Sequence, residues 1–187
     1  MPPSQDLGRE LLQERCQEAH TQLLWAASPR ELGEAIGRQA GCPLVLADHP
    51  WLRGAVPYLP QHLQNCFTFS APSEPLPPPQ VDTAVLVGLA AVPETGSVLI
   101  AAGPQADWRL SLCPRLLIVI IPEAKAALSL SEALVLTTRE SLVSWLTGPS
   151  RTADIEKVLV LGAQGAAALT VIIAPLDEVA PDAVKLP

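Results

Sequence analysis

Four short aliphatic runs, TAVLVGLA (83–90), SVLIAAG (97–103), LLIVII (116–121) and ALTVIIAP (168–175), constrain this chain more than any other feature. Each is bounded by Gly, Pro or charged residues and reads as a strand buried on both faces, the pattern of a parallel sheet covered by helices. Two earlier runs, PLVLA (43–47) and CFTFS (66–70), read the same way. Between the runs lie stretches with helical signals. Leu7, Leu11, Leu12, Cys16, Ala19, Leu23 and Leu24 form one stripe at helical spacing, predicting a helix over 5–25. Ser28-Pro29-Arg30-Glu31 is a capping box with proline at the first helical position, and Gly41 is the expected stop. Further helices are expected over 123–136, over 138–146 behind Thr137-Thr138-Arg139-Glu140, and from within GPSRTADIE (148–156). Strands alternating with helices give an α/β fold, a layered sandwich with a mostly parallel sheet. The 187 residues suit one domain, in which the proline-rich connector APSEPLPPPQ (71–80) stiffly separates an N-terminal helical portion with the first strands (1–80) from the main sheet (81–175).

Composition narrows the function classes. The chain is 49% apolar but only 4% aromatic, so its core is aliphatic. A formal charge of -7, with 12 Lys and Arg and no basic run, excludes a phosphate-backbone partner, so no nucleic acid is expected. LLIVII stops at Pro122-Glu123, far short of a membrane span, and the N-terminus lacks a basic and apolar leader. A cytoplasmic protein with no membrane association is therefore expected. Cys16, Cys42, Cys66 and Cys113 are far apart, and His20, His49 and His62 form no metal-spaced group. These cysteines are expected to be buried, reduced thiols, and no metal or cofactor is expected.

Two segments carry residues suited to chemistry. In VPETGSVL (92–99), Glu94 sits on a turn with the hydroxyls of Thr95 and Ser97, and Gly96 lets backbone approach closely. The segment is either a solvated turn or a place where Glu94 acts as general base or nucleophile. In GPSRTADIE, Gly148-Pro149 ends the preceding element. Ser150 or Thr152 suits an N-cap, and Asp154 and Glu156 suit the first helical turns. Capping does not require Arg151. A cation there calls for an anion, either a bridge to Asp154 or Glu94 or a bound carboxylate or phosphate gripped by the planar guanidinium. In open α/β sheets such ligands gather outside the carboxyl ends of the strands.

The run GPSRTADIEKVLVLGAQGAAALTVII resembles the C-terminal signature of the LUD domain, the lactate-utilisation protein C (LutC/YkgG) family. There, Gly-Pro-Ser-Arg/Lys-Thr-Ala-Asp-Ile-Glu leads into a Gly-Val-His-Gly-Pro turn and a closing strand. AVPETGSVLIAAGPQADWRLSLCPRLLIVII is similar to the family's second signature, and the resemblance spans roughly 81–175. It implies the Rossmann-like fold of phosphosugar isomerases, CoA transferases and formyltetrahydrofolate cyclo-ligases. It also implies a part in oxidising L-lactate to pyruvate alongside two iron–sulfur partner proteins, a division of labour that the lack of cysteine clusters fits. Gln164, Leu117 and Thr170 stand where family members commonly carry histidine. The expectation is a LutC-like accessory or substrate-binding subunit. Ser150, Arg151 and Thr152 would hold a small carboxylate or phosphorylated ligand, with Asp154 and Gln164 nearby and Glu94, Thr95, Gly96 and Ser97 across the cleft. The alternatives are a stand-alone CoA-transferase-like or phosphosugar-isomerase-like enzyme using Glu94, and a non-catalytic scaffold that lost its histidines.

Overall fold

The computed structural model describes residues 5–70, 81–101, 108–138, 140, 142–153, 159–161 and 165–176, without the side chains of 5–6, 70, 108–109, 151–153 and 159–161. In chain order the elements are α1 (Gln5–Glu18), β1 (Gln22–Trp25), α2 (Pro29–Gly37), β2 (Leu44–Ala47), α3 (Pro50–Ala55), α4 (Gln61–Gln64), β3 (Phe67–Ser70), β4 (Thr83–Val87), β5 (Ala90–Val92), β6 (Ser97–Ala101), β7 (Leu116–Pro122), α5 (Leu130–Thr137), β8 (Val143–Leu146), β9 (Arg151–Ala153), β10 (Leu159–Leu161) and β11 (Ala168–Ala174).

Six strands form one parallel sheet in the order β1-β11-β7-β4-β2-β3. All seven residues of the central β7 are buried, as its unbroken aliphatic sequence requires of a strand covered on both faces. The edges differ. Phe67, Thr68 and Phe69 of β3 alternate half-buried and exposed, and β1 buries only Leu23 fully. Strands from residues before position 80 lie on both flanks of β4, β7 and β11, so the N-terminal portion completes the sheet rather than standing beside it. Leu12, Leu32, Ile36, Leu52 and Leu63 from the helices share one continuous core with the sheet. Among the described residues no helix is long and apolar enough to cross a membrane. The α/β architecture and the mostly parallel sheet are those expected from the sequence.

At Gly88 the chain leaves the main sheet. Its N–H bonds Ile120 O at 2.8 Å, and a Cβ there would lie 2.6 Å from Ile121 Cδ1 and 2.9 Å from Leu99 O. No side chain fits that approach, and the run 83–90 therefore splits into β4 and β5. β5, β6 and β8 form a separate antiparallel sheet. A small cluster of Val92, Leu99 and Ala133 joins it to α5.

Several local expectations are corrected. The helix expected over 5–25 ends at Glu18, and QLLW is an edge strand paired with β11. Its leucines satisfy either period, and sheet pairing decided between them. α2 begins at the Ser28 cap but ends at Gly37, not at Gly41. Gly41 serves a different contact, with no room for a Cβ beside the Asp82 carboxylate. The helix expected over 123–136 is a short turn at Glu123–Lys125 followed by α5, whose capping box is Ser129/Glu132. VSWL, expected as the end of a helix over 138–146, is strand β8 against β6. Arg151–Ala153 is not a helix start either. It is strand β9, antiparallel to β10, so Ser150 and Thr152 are not N-caps.

The cysteines are corrected as well. Cys42 and Cys66 form a disulfide across a Cα–Cα distance of 6.0 Å. They precede β2 and β3, whose register pairs Leu44 with Phe67, so parallel pairing brings together two cysteines 24 residues apart. Cys16 is the buried thiol expected, its pKa pushed up to about 11 by burial, whereas Cys113 is free and exposed. The proline-rich connector 71–80 lies outside the described residues.

Candidate functional site

Two adjoining cavities open at the amino ends of β7 and β11, the end of the sheet opposite to the one the general rule for α/β folds favours. The larger, about 550 Å³, is lined by His20, Gln22, Gln39, Arg115 and Thr170 together with Leu116, Pro149 and the segment 167–169. The smaller, about 290 Å³, is lined by residues 145–150, Gly165 and Ala166, with Ser111, Leu112, Leu117 and Leu169. Pro149 and Leu169 belong to both.

Local geometry explains how Gly148-Pro149-Ser150 comes to line this wall. Gly148 takes φ +85°, and a Cβ there would collide with the carbonyl of Ala19 just beyond α1. Only glycine combines that left-handed backbone with so close an approach. Two residues on, the Ser150 N–H donates to Ala166 O at 2.8 Å, which ties the segment to the chain entering β11. A Cβ on Gly165 would lie 3.3 Å from Ser150 Cβ, so the two stretches of the signature pack directly on one another.

The structure relates part of the other expected segment to this wall. Ser97 is buried, and its hydroxyl shares a 2.5 Å hydrogen bond with Thr147 Oγ1, which lines the smaller cavity. Gly96 takes φ +64° and abuts Arg15 of α1. Thr95 Oγ1 donates a long, 3.5 Å hydrogen bond to Val92 O. Glu94 is exposed and turns to α5, where its Oε1 accepts the Leu130 N–H at 3.2 Å. It thereby satisfies one of the free N–H groups at a helix start. Arg151 and Thr152 lie on β9 with undescribed side chains, and Asp154 and Gln164 lie outside the described residues.

Two of the three positions where the resembled family carries histidine are on the cavity walls. Leu117, fully buried, lines the smaller cavity. Thr170 lines the larger and donates to Gln39 Oε1 at 2.7 Å. Neither side chain titrates near neutral pH, so neither can carry a proton as histidine does.

Sequence reasoning missed the polar residues of the larger cavity. Arg115 grips Asp82 with two parallel bonds, Nε to Oδ1 at 2.8 Å and Nη2 to Oδ2 at 3.1 Å. Asp82 also accepts from Thr83 Oγ1 at 2.8 Å, and that hydroxyl accepts the Gly41 N–H at 3.0 Å. Hydrogen bonding from Arg115 leads in holding the Asp82 carboxyl below the usual carboxylate range, and Asp82 in turn raises the guanidinium. The only trace in the sequence is a lone arginine between Pro114 and the aliphatic run. Its partner stands 33 residues earlier and is found only through the pairing of β4 with β7. Among the described residues no group of His, Cys, Asp and Glu could hold a metal ion. The lining instead combines hydrogen-bond donors with apolar residues, which suits an organic anion.

Comparison with known proteins matches these features to a family. Residues 80–174 match the model of the LUD domain, a span holding both signatures and three central strands of the sheet. The chain is 24% identical over 181 residues to Lactate utilization protein C of Bacillus subtilis (strain 168), covering 83% of this chain and 73% of that one. Its fold is similar to the crystal structure of a DUF162 family protein from Deinococcus radiodurans, with a TM-score of 0.66 at 19% identity, over 92% of this chain and 99% of the other. The match over more than half of its length makes this chain a member of the LUD domain family.

Proposed function

We propose that this protein is an accessory or substrate-binding subunit of a system that oxidises L-lactate to pyruvate, working beside iron–sulfur partner proteins. The observation that carries this reading is the likeness to Lactate utilization protein C, which extends over 83% of the chain. The smaller cavity supports it, because its wall is built from the signature segment through Ser150. In this reading the substrate carboxylate sits against Ser150, Arg151 and Thr152, with Asp154 and Gln164 bordering it. The turn Glu94-Thr95-Gly96-Ser97 supports the wall through the Ser97–Thr147 hydrogen bond. Arginine supplies two parallel charge-assisted bonds, and losing them weakens binding of a small carboxylate by about tenfold or more.

Calorimetric titration of L-lactate and pyruvate into wild type and Arg151→Ala tests the site. Binding to wild type and its loss in the variant is the expected result, and equal binding by both rules the assignment out. Recovery of the tagged protein from its own cells tests the assembly, the expected companions being brown proteins with iron–sulfur absorption.

A second reading is favoured by Leu117 and Thr170, an aliphatic and a hydrogen-bonded hydroxyl side chain where the resembled family has proton carriers. On this reading the protein keeps the fold as a scaffold for a partner and catalyses nothing. Tight binding of lactate or pyruvate by the isolated chain counts against it.

A further inference from the structure

We infer that the larger cavity at the amino edge of the sheet is a second ligand site, for an organic anion with an apolar body. This site is separate from the small-acid site at Arg151 and does not rest on it. The protein carries a net charge of -7, yet no acidic side chain lines this cavity among the described residues. Its polar wall consists of His20, Gln22, Gln39, Arg115 and Thr170.

The donors are held in place before any ligand arrives. Arg115 is clamped by Asp82 through Nε and Nη2, which leaves the two Nη1 protons and one on Nη2 outside that clamp. Gln39 is fixed at both ends of its amide. Its Oε1 accepts from Thr170, and its Nε2 donates one proton to Ala35 O at 3.2 Å, leaving the other for the cavity. Such preorganisation spares a ligand the cost of ordering these side chains.

A separate observation comes from His20. It has φ +54°, the left-handed region, and closes α1 with its N–H on Gln17 O while the Thr21 N–H bonds Cys16 O. Glycine is the usual residue at such a helix end, because a side chain there is strained. A histidine is kept there despite that strain, at a position that lines the cavity.

The lining also includes the apolar residues Leu116, Leu169 and Pro149. A volume of about 550 Å³ falls in the range that encloses ligands well above three-carbon size. The ligand is therefore an amphiphilic carboxylate or phosphate ester, its oxyanion at Arg115 and Gln39 and its carbon chain on the apolar wall. Both headgroups share the oxyanion that Arg115 reads, and the test separates them.

Hexanoate, hexyl phosphate and neutral hexanamide are titrated calorimetrically into wild type, His20→Gly and Arg115→Gln. The expected result is binding of one or both anions, not of the amide. The affinity is expected to fall roughly ten- to a hundredfold in Arg115→Gln, as for loss of a charged hydrogen bond. The better of the two anions identifies the headgroup. His20→Gly relieves the backbone strain, so it is expected to keep or raise the melting temperature while weakening the same anion. That variant keeps the inference testable should Arg115→Gln unfold by stranding Asp82. Arg151→Ala is expected to leave hexanoate binding unchanged, so failure of this site and failure of the small-acid site are distinguishable. No anion binding to wild type, equal binding of hexanamide, or undiminished binding in His20→Gly overturns the inference.

Discussion

At the level of single residues, His49 is put to structural use. His49 is the N-cap of α3, its Nδ1 accepting the Trp51 N–H at 3.3 Å. That nitrogen accepts only when unprotonated, and burial lowers the pKa of the ring while the neighbouring Asp48 carboxylate opposes it to a lesser degree. A histidine pKa depressed by folding contributes stability above its unfolded value of about 6.5, and that stability is lost as pH falls from there through the folded value. Urea unfolding of the wild type is therefore expected to show stability declining as pH falls below about 6.5. In His49→Asn the amide oxygen caps the helix at every pH, and the decline is expected to be shallower. His20 and His62 are present in both proteins, so the difference between the two curves isolates His49. Parallel curves would show that the cap is insensitive to protonation.

At the level of elements, α5 depends on its first turn. Ser129 Oγ accepts the Glu132 N–H and Glu132 Oε2 accepts the Ser129 N–H, a complete capping box, and Glu94 accepts the next free donor at Leu130. Leu134 and Val135 are exposed and only Ala133 is fully buried, so packing contributes little and capping much. Ser129→Ala is expected to destabilise the protein by about 1 kcal/mol, read from the denaturant midpoint at unchanged slope. The same element shows what the sequence could reveal. The buried runs that became β2, β4, β7 and β11 were legible, because short, almost wholly aliphatic runs bounded by Gly, Pro or charged residues have few other fates. The helices around α5 were misread, because Thr137 to Glu140 spells a capping box as plausibly as Ser129 to Glu132 does. The edge and hairpin strands β1, β8 and β9 were misread too, since each is only three or four residues long and owes its form to a partner strand. A local pattern cannot report a partner that lies more than a hundred residues away, as β11 does from β1.

At the scale of the whole molecule, chain order hides the neighbours that matter. The signature segment was legible as a place for a ligand. Arg115, Gln39 and His20 were not, because parallel pairing assembles them from three distant stretches at the amino edge. The disulfide has the same origin and leads to a test of how the sheet is closed. Among the described residues β3 is an edge strand paired only with β2, and the chain between them carries the short helices α3 and α4. The Cys42–Cys66 bond closes that excursion at its base, a loop of 24 residues in sequence separation. Closing such a loop restricts the unfolded chain and stabilises the fold by about 3 kcal/mol on the chain-entropy view. Reduction with dithiothreitol is expected to lower the unfolding free energy by about that amount, and Cys42→Ser should match the reduced wild type and gain nothing further from reductant. Because Cys16 and Cys113 are free in both forms, a response to reductant in the wild type alone assigns the effect to this bond. An unchanged midpoint on reduction would mean instead that pairing with β2 and the helical excursion hold the edge unaided.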